Sequence, residues 1–321
     1  LIYLEGWWLA FLVSAACAVP ILRLLMRLNS RQTVSEFVPE HAAKQGTPTM
    51  GGLIVAFGML VGLLFFIAHG GPYAAQLLPY LVLLVGFAAI GFVDDFVIPR
   101  VMKGKRGLGW KQKFALQILF VAGAMMLYPG VTWQIGLVAG FSILFFANAY
   151  NFTDGMDGMA GGVGIFLLIG LAALNKGHLE SGPDEVLLVA VLAIAGLIPF
   201  LWLNAPPAKI FMGDVGSLPI GAWIGLIVYR LTTAPKLGPL AIPPLALALI
   251  SVVMVLELVP VPIQIASVKL FKRKVFSFTP IHHAFQKKGI PETRVAWGFI
   301  LAQLVLSLAA ITAQAAFSNV G

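Results

Sequence analysis

"MGGLIVAFGMLVGLLFFIA", residues 50–68, runs for 19 positions without a charged side chain. An apolar run of about 18 residues or more crosses a bilayer as an α-helix, because in lipid every backbone N–H and C=O must be satisfied within the segment. Nine further runs, most of them of this length, share the chain with it. We place the spans at about 7–28, 50–68, 76–95, 111–128, 133–150, 159–174, 185–203, 216–231, 240–266 and 295–317. The composition agrees: of 321 residues, 60% are hydrophobic and 11% charged, and the mean hydropathy is +0.94. A soluble domain is about 25% charged. Strand-like alternation is absent, which argues against a β-barrel. The expected fold is all-α, a polytopic membrane protein of about ten transmembrane helices. No linker, low-complexity tract or internal repeat divides the sequence, so residues 1–321 are expected to form a single transmembrane domain.

Charge supplies the orientation. The first run, Trp7 to Met26, is too long for a signal-peptide core, and its basic residues (Arg23, Arg27, Arg31) follow it. It reads as a retained first helix with its N-terminus outside. From that start, all but three of the 21 Lys and Arg fall in inner loops and adjoining helix ends; Lys176, Arg230 and Lys236 are the exceptions. This is the positive-inside pattern, and ten helices then put both termini outside. The net charge of +8 therefore reflects membrane orientation; it is not a nucleic-acid footprint, and the lipid bilayer is the partner it implies. The lone cysteine, Cys17, lies in the first apolar run, which rules out a disulfide framework. The ninth span holds Pro260 and Pro262, which remove backbone donors, so it is expected to bend or break in its inner half. Glu257, beside them, is the one carboxylate placed well inside the bilayer. Two roles stay open for it: a functional or paired charge, or satisfaction of backbone groups freed by the prolines.

Of six aspartates, five map to the inner helix ends: Asp94 and Asp95 in "GFVDDFV", Asp154 and Asp157 in "NAYNFTDGMDGMAGG" (148–162), and Asp214 in "IFMGDVGS". A single aspartate at a helix end is ordinarily a cap. Five gathered on one face repel one another unless a cation relieves them. Oxygen ligands without a Cys or His cluster favour Mg²⁺ or Mn²⁺ over Zn²⁺. Lysines interleave with the acids: Lys44, Lys111, Lys113 and Lys209. Carboxylates, a divalent ion, cations and glycine turns together suit a phosphate or diphosphate substrate. "GTPTMGG" (46–52) adds hydroxyls and backbone N–H groups at a helix start, where the dipole favours an anion. "TPIHHAFQKKG" (279–289) adds His282 and His283, and a histidine can donate to a phosphate near neutral pH. Gly155 and Gly158 indicate that the fifth helix has ended by that point and is turning into the sixth.

Taken in order, "GTPTMGG", the Asp94–Asp95 pair, "NAYNFTDGMDGMAGG", "NAPPAKIFMGDVGSL" (204–218) and "TPIHHAFQKKG" closely resemble the phospho-N-acetylmuramoyl-pentapeptide transferases. These form a branch of the polyprenyl-phosphate N-acetylhexosamine-1-phosphate transferase superfamily. The likeness runs from about residue 40 to about residue 295. It implies transfer of phospho-MurNAc-pentapeptide from UDP-MurNAc-pentapeptide to undecaprenyl phosphate, giving lipid I and UMP with Mg²⁺. It also implies the bacterial cytoplasmic membrane, a site facing the cytoplasm, and a homodimer. By resemblance Asp94, Asp95, Asp214 and His282 are catalytic, with Asp94 and Asp95 associated with the lipid phosphate. Asp214 is the metal ligand, with Asn151 and Asp154 shaping the metal and diphosphate site. Lys44, Gly155, Met156, Asp157 and Phe211 form the uridine pocket, with Phe211 on the base. Thr49, Lys113, Asn204, His282 and His283 line the same cleft. Two positions depart from the family. Ile98 stands where a lysine is frequent, leaving Arg100 or Lys103 as substitutes, and "HHAFQ" (282–286) replaces a triple histidine followed by Phe-Glu.

A phosphate monoester has a second pKa of about 6, so at neutral pH the acceptor needs little help from a base. Direct displacement by the lipid phosphate is therefore favoured over an aspartyl phospho-enzyme, with Asp94 or Asp95 orienting the acceptor. The same transfer from UDP-GlcNAc is the nearest rival. A cation-coupled transporter would place ionisable residues near the midplane in repeated halves, contrary to this distribution.

Overall fold

A computed structural model describes residues 2–28, 46–69, 74–102, 104–105, 107–175, 184–233 and 242–318. Its helices are α1 (Ile2–Arg27), α2 (Gly52–His69), α3 (Ala74–Phe92), α4 (Ile98–Val101), α5 (Trp110–Met126), α6 (Trp133–Thr153) and α7 (Met159–Leu174). There follow α8 (Glu185–Asn204), α9 (Asp214–Thr232), α10 (Pro244–Leu258), α11 (Pro260–Phe271), α12 (Ile281–Lys287) and α13 (Glu292–Ser318). A π-helical turn, Val93–Val97, joins α3 to α4. Among the described residues, eight stretches are long and apolar enough to cross a membrane, with α3–α4 and α10–α11 each counting once. The other two expected spans are shorter helices: α7 with 16 residues, and α5 with 17 and two lysines in its first turn. The chain is a multi-pass, all-helical membrane protein.

The centre of the bundle is α9. Its hydropathy of 1.3 is the lowest of the eight spans, yet 89% of it is buried. In lipid, apolar side chains gain little from turning inward, so small residues that let backbones approach mark the inner helix. A Cβ on Gly216 would sit 2.4 Å from the Cα of Gly52 on α2, and one on Gly91 of α3 would sit 2.2 Å from the Val215 nitrogen. Gly221 and Gly225 lie as tightly on α6, at Ala147 and Ile143. These crossings bring the ends of α2, α3, α6 and α9 together.

The ninth span breaks as expected, α10 giving way to α11 at Val259–Pro260. Between α6 and α7, Asp154 leaves helical geometry and Gly158 takes a left-handed φ of 76°, which favours glycine. At the far end of α9, Arg230 forms an ion pair with Glu185 of α8.

Candidate active site

Three carboxylates, Asp94, Asp95 and Asp214, offer ligand oxygens that all lie within 4.8 Å of one another. Successive residues of an α-helix diverge by about 100°. The π-helical turn that carries Asp94 and Asp95 has a smaller angular step and lets both face α9. Lys113, from the first turns of α5, bridges the group: its ammonium donates to Asp94 at 3.0 Å and to Asp214 at 2.5 Å. The backbone N–H of Leu108 donates to the other oxygen of Asp94 at 2.7 Å. Asp95 takes a long hydrogen bond, 3.4 Å, from the Val215 N–H.

Asp214 is held from the α6 side as well. The Asn151 amide donates to it at 2.7 Å and to Ser217 Oγ at 2.8 Å, while the Ser217 hydroxyl donates to the Gly213 carbonyl. Asp154 accepts from the Gly213 N–H at 3.1 Å, one residue before Asp214. Burial raises the Asp154 carboxyl well above its ordinary range, the Asp214 charge raises it further, and the Gly213 N–H works against both. Gly213 is the pivot of this end. Its φ is +70°, and a Cβ there would come 2.5 Å from Asp95 Oδ2 and 2.8 Å from Thr49 Oγ1. The strip from Pro48 to Gly52 is pinned to the same loop: Phe211 N–H donates to Pro48 O, Gly51 N–H to Phe211 O, and Gly52 N–H to Met212 O. Thr49 thus belongs to the site through backbone pairing across about 160 residues of sequence.

A second group lies along the Gly155–Asp157 turn. Asp157 accepts from the Ala208 N–H at 3.0 Å, and its own N–H donates to Glu292 Oε1 at 3.0 Å. Asn204 brackets the turn to the α8–α9 loop, accepting from the Gly158 N–H and donating to the Ile210 carbonyl. Met156 is buried and Phe211 half-buried beside these strands of chain. His282 packs onto Gly155, and its Nδ1 lies 2.7 Å from Glu257 Oε2. His283 Nδ1 pairs with Gln286 at 2.8 Å, the residue that replaces the family's glutamate.

The structure therefore gathers Thr49, Asp94, Asp95, Lys113, Asn151, Asp154, Gly155, Met156, Asp157, Asn204, Phe211, Asp214, His282 and His283 at one end of the bundle. Lys44 and Lys103 lie outside the described residues. Arg100 is no substitute for the lysine absent at Ile98: it donates to Leu28 O and Phe96 O and stacks 3.5 Å over the Phe96 ring. Asn148, from the same motif, pairs with Gln117 of α5 and stays out of the site. Of the two roles open to Glu257 the contacts favour pairing: Oε2 meets His282, and Oε1 has no hydrogen-bond partner among the described residues, so no backbone carbonyl freed by the prolines is served by it. Sequence reading passed over Ser217 and Glu292, whose partners Asn151 and Asp157 lie far along the chain. The donor set is all oxygen, its charge exceeds what Lys113 neutralises, and it fits a hard divalent cation.

The sequence pattern of glycosyl transferase family 4 matches residues 77–232. A phospho-N-acetylmuramoyl-pentapeptide-transferase of Deinococcus radiodurans is 39% identical over 280 residues, 81% of this chain and 82% of the relative. One from Moorella thermoacetica is 35% identical over 322 residues, 94% and 96% of the two chains. One from Thermobifida fusca is 32% identical over 348 residues, 94% and 95%. The matched interval contains all five aspartates of the site.

Proposed function

The chain belongs to the phospho-N-acetylmuramoyl-pentapeptide transferase family, and from that premise we propose that it moves phospho-MurNAc-pentapeptide from its UDP carrier to undecaprenyl phosphate, releasing UMP. The observation that carries this reading is the Asp94–Asp95–Asp214 cluster bridged by Lys113, beside the Gly155–Asp157 turn. Bringing two polyanions together is the main barrier, and fixed charge placed where charge develops lowers it.

Asp214, with Asp94, Asp95 and Asp154 in reach, would hold Mg²⁺, which when bound neutralises diphosphate charge. Lys113 adds a cation on the α5 side of the cluster. Asp94 and Asp95 orient the acceptor phosphate and take its last proton where one remains. Met156, Asp157 and Phe211 receive the uridine, with Asn204 holding the turn in place. Displacement is direct, since the acceptor is already largely dianionic at neutral pH. A phospho-sugar adduct on an aspartate, formed without lipid and seen by mass spectrometry, would overturn that step. The site faces the cytoplasm of a bacterial inner membrane, where the nucleotide-sugar and the lipid head group meet.

The test is UMP release by purified protein with undecaprenyl phosphate and Mg²⁺, offered UDP-MurNAc-pentapeptide or UDP-GlcNAc in turn. Release is expected with the first. Asp214→Asn should lower kcat by about 10²–10³-fold, the scale of losing one key electrostatic group. Turnover of UDP-GlcNAc alone would move the reading to the rival sugar.

A further inference from the structure

The Glu257–His282 pair sits behind the site. Glu257 is 0% exposed and His282 1%, so neither is solvated, and each turns an oxygen or nitrogen to the other at 2.7 Å. A carboxylate can only accept, so the proton of this hydrogen bond is on Nδ1 of the imidazole. That fixes the ring. Its other nitrogen, Nε2, is buried without a hydrogen-bond partner among the described residues. It faces the Gly155 backbone, where a Cβ would approach it to 2.3 Å. Gly155 has no left-handed φ to justify a glycine, so what its hydrogen provides is room for this nitrogen. A buried polar atom with no partner is costly and rare, and one aimed at a substrate turn is satisfied when substrate arrives.

The elements supporting the pair are separate in sequence. Glu257 rides on the last turn of α10, just before the proline break, while His282 opens the short α12. The helix is interrupted at Val259–Pro260, and the short α12 packs back against α10. Gln264 of α11 secures the connecting loop, accepting from the N–H groups of Val275 and Phe276 and donating to the Phe276 carbonyl. The buried Glu257 carboxyl has one hydrogen-bond partner among the described residues, and that partner points at Gly155.

We propose that Glu257 is a positioning residue. It holds His282 by Nδ1 so that Nε2 is aimed over Gly155 at an anionic oxygen of the substrate's diphosphate, to which it donates when the ring carries both protons. This rests on the nucleotide-binding part of the proposed function and adds the group that aims the histidine.

The experiment uses the full-length protein in detergent or nanodiscs, with UDP and uridine as binding probes. Glu257→Leu is expected to weaken UDP about tenfold, the scale on which partners of a functional histidine act, and to leave uridine unchanged. Glu257→Gln, which keeps an acceptor for Nδ1–H, is expected to recover most of that loss. In a double-mutant cycle, Glu257→Leu on a His282→Ala background should cost nothing further, because the carboxylate acts only through the ring. Additive losses, or equal weakening of UDP and uridine, would overturn the proposal. These probes need neither the sugar nor the lipid, so the pairing is judged even if the transferred group proves different. Protein whose Glu257→Leu form melts early is judged on Glu257→Gln: a strongly hydrogen-bonded imidazole Nδ1–H by ¹⁵N NMR in the unsubstituted protein supports the pair, and its absence refutes it.

Discussion

Lys113 stands between Asp94 and Asp214 where a divalent cation would also be stabilised, so it both offsets the cluster's charge and competes for it. Lys113→Met leaves the carboxylates facing one another with less compensation. Mg²⁺ binding, read by calorimetry, should tighten, while kcat falls by about 10²-fold for want of the fixed cation. A variant that bound Mg²⁺ more weakly would assign Lys113 to building the site instead. Asp154 gives a second expectation. Its folded-state carboxyl is raised well above the ordinary aspartate value of 3.8, chiefly by burial and next by the Asp214 charge. Below 3.8 both folded and unfolded chains hold the proton; as pH rises above it the unfolded chain ionises first, and folding stability falls until the folded carboxyl also titrates. Melting curves in EDTA should therefore drop across that window, the Mg²⁺-induced rise in Tm should grow across it, and Asp154→Asn should flatten both trends. Aspartates of this kind were legible in sequence because six in so apolar a chain are conspicuous. The hydrogen bonds that fix them were not: Asn151 to Ser217, Asp157 to Glu292 and Glu257 to His282 join residues whose distance along the chain carries no signal.

At the scale of elements, eight of the ten expected spans answer to run length, because the bilayer sets a minimum that few other structures need, while α5 and α7 fall short of it. The proline break of the ninth span followed from two missing donors. Which helix lies at the centre did not follow from hydropathy. The least apolar long span, α9, is the most enclosed, and the available sign was the spacing of small residues in "GAWIG" (221–225). The π-helical turn at Val93–Val97 had no sequence mark either, since it is defined by how Asp94 and Asp95 meet a helix about 120 residues away. The Gly52–Gly216 crossing sets the distance between α2, which delivers Thr49, and α9, which delivers Asp214. Gly216→Val forces these backbones apart. Its cost should be about 1–3 kcal/mol, as for overpacking elsewhere, visible as a lower Tm in detergent. Activity should fall further than Tm alone would explain, because Thr49 and Gly213 separate. A Gly52→Ala change, with a smaller Cβ-only intrusion, should give a milder loss of the same kind.

For the whole molecule, the orientation in the membrane rests on charge. The end that carries Asp94, Asp154 and Asp214 also carries Lys113, Lys209, Lys269, Lys272, Arg273, Lys274, Lys287 and Lys288, whereas Arg230 at the other end is consumed by Glu185. Between Leu258 and Pro291 there are six Lys or Arg and no carboxylate. Translocating that segment would oppose the membrane potential at about 2.3 kcal/mol per charge per 100 mV, which supports the cytoplasmic placement proposed above. Cysteine labelling reads this directly, because Cys17 is the only cysteine and Cys17→Ser clears the background. Pro129 and Lys274 are both exposed, at opposite ends of the bundle by their places after α5 and α11. In intact spheroplasts an impermeant maleimide should label Pro129→Cys and spare Lys274→Cys; after permeabilisation it should label both. The reverse pattern would place the carboxylates outside, away from any cytoplasmic nucleotide-sugar, and would remove the basis for the transferase reading together with the orientation.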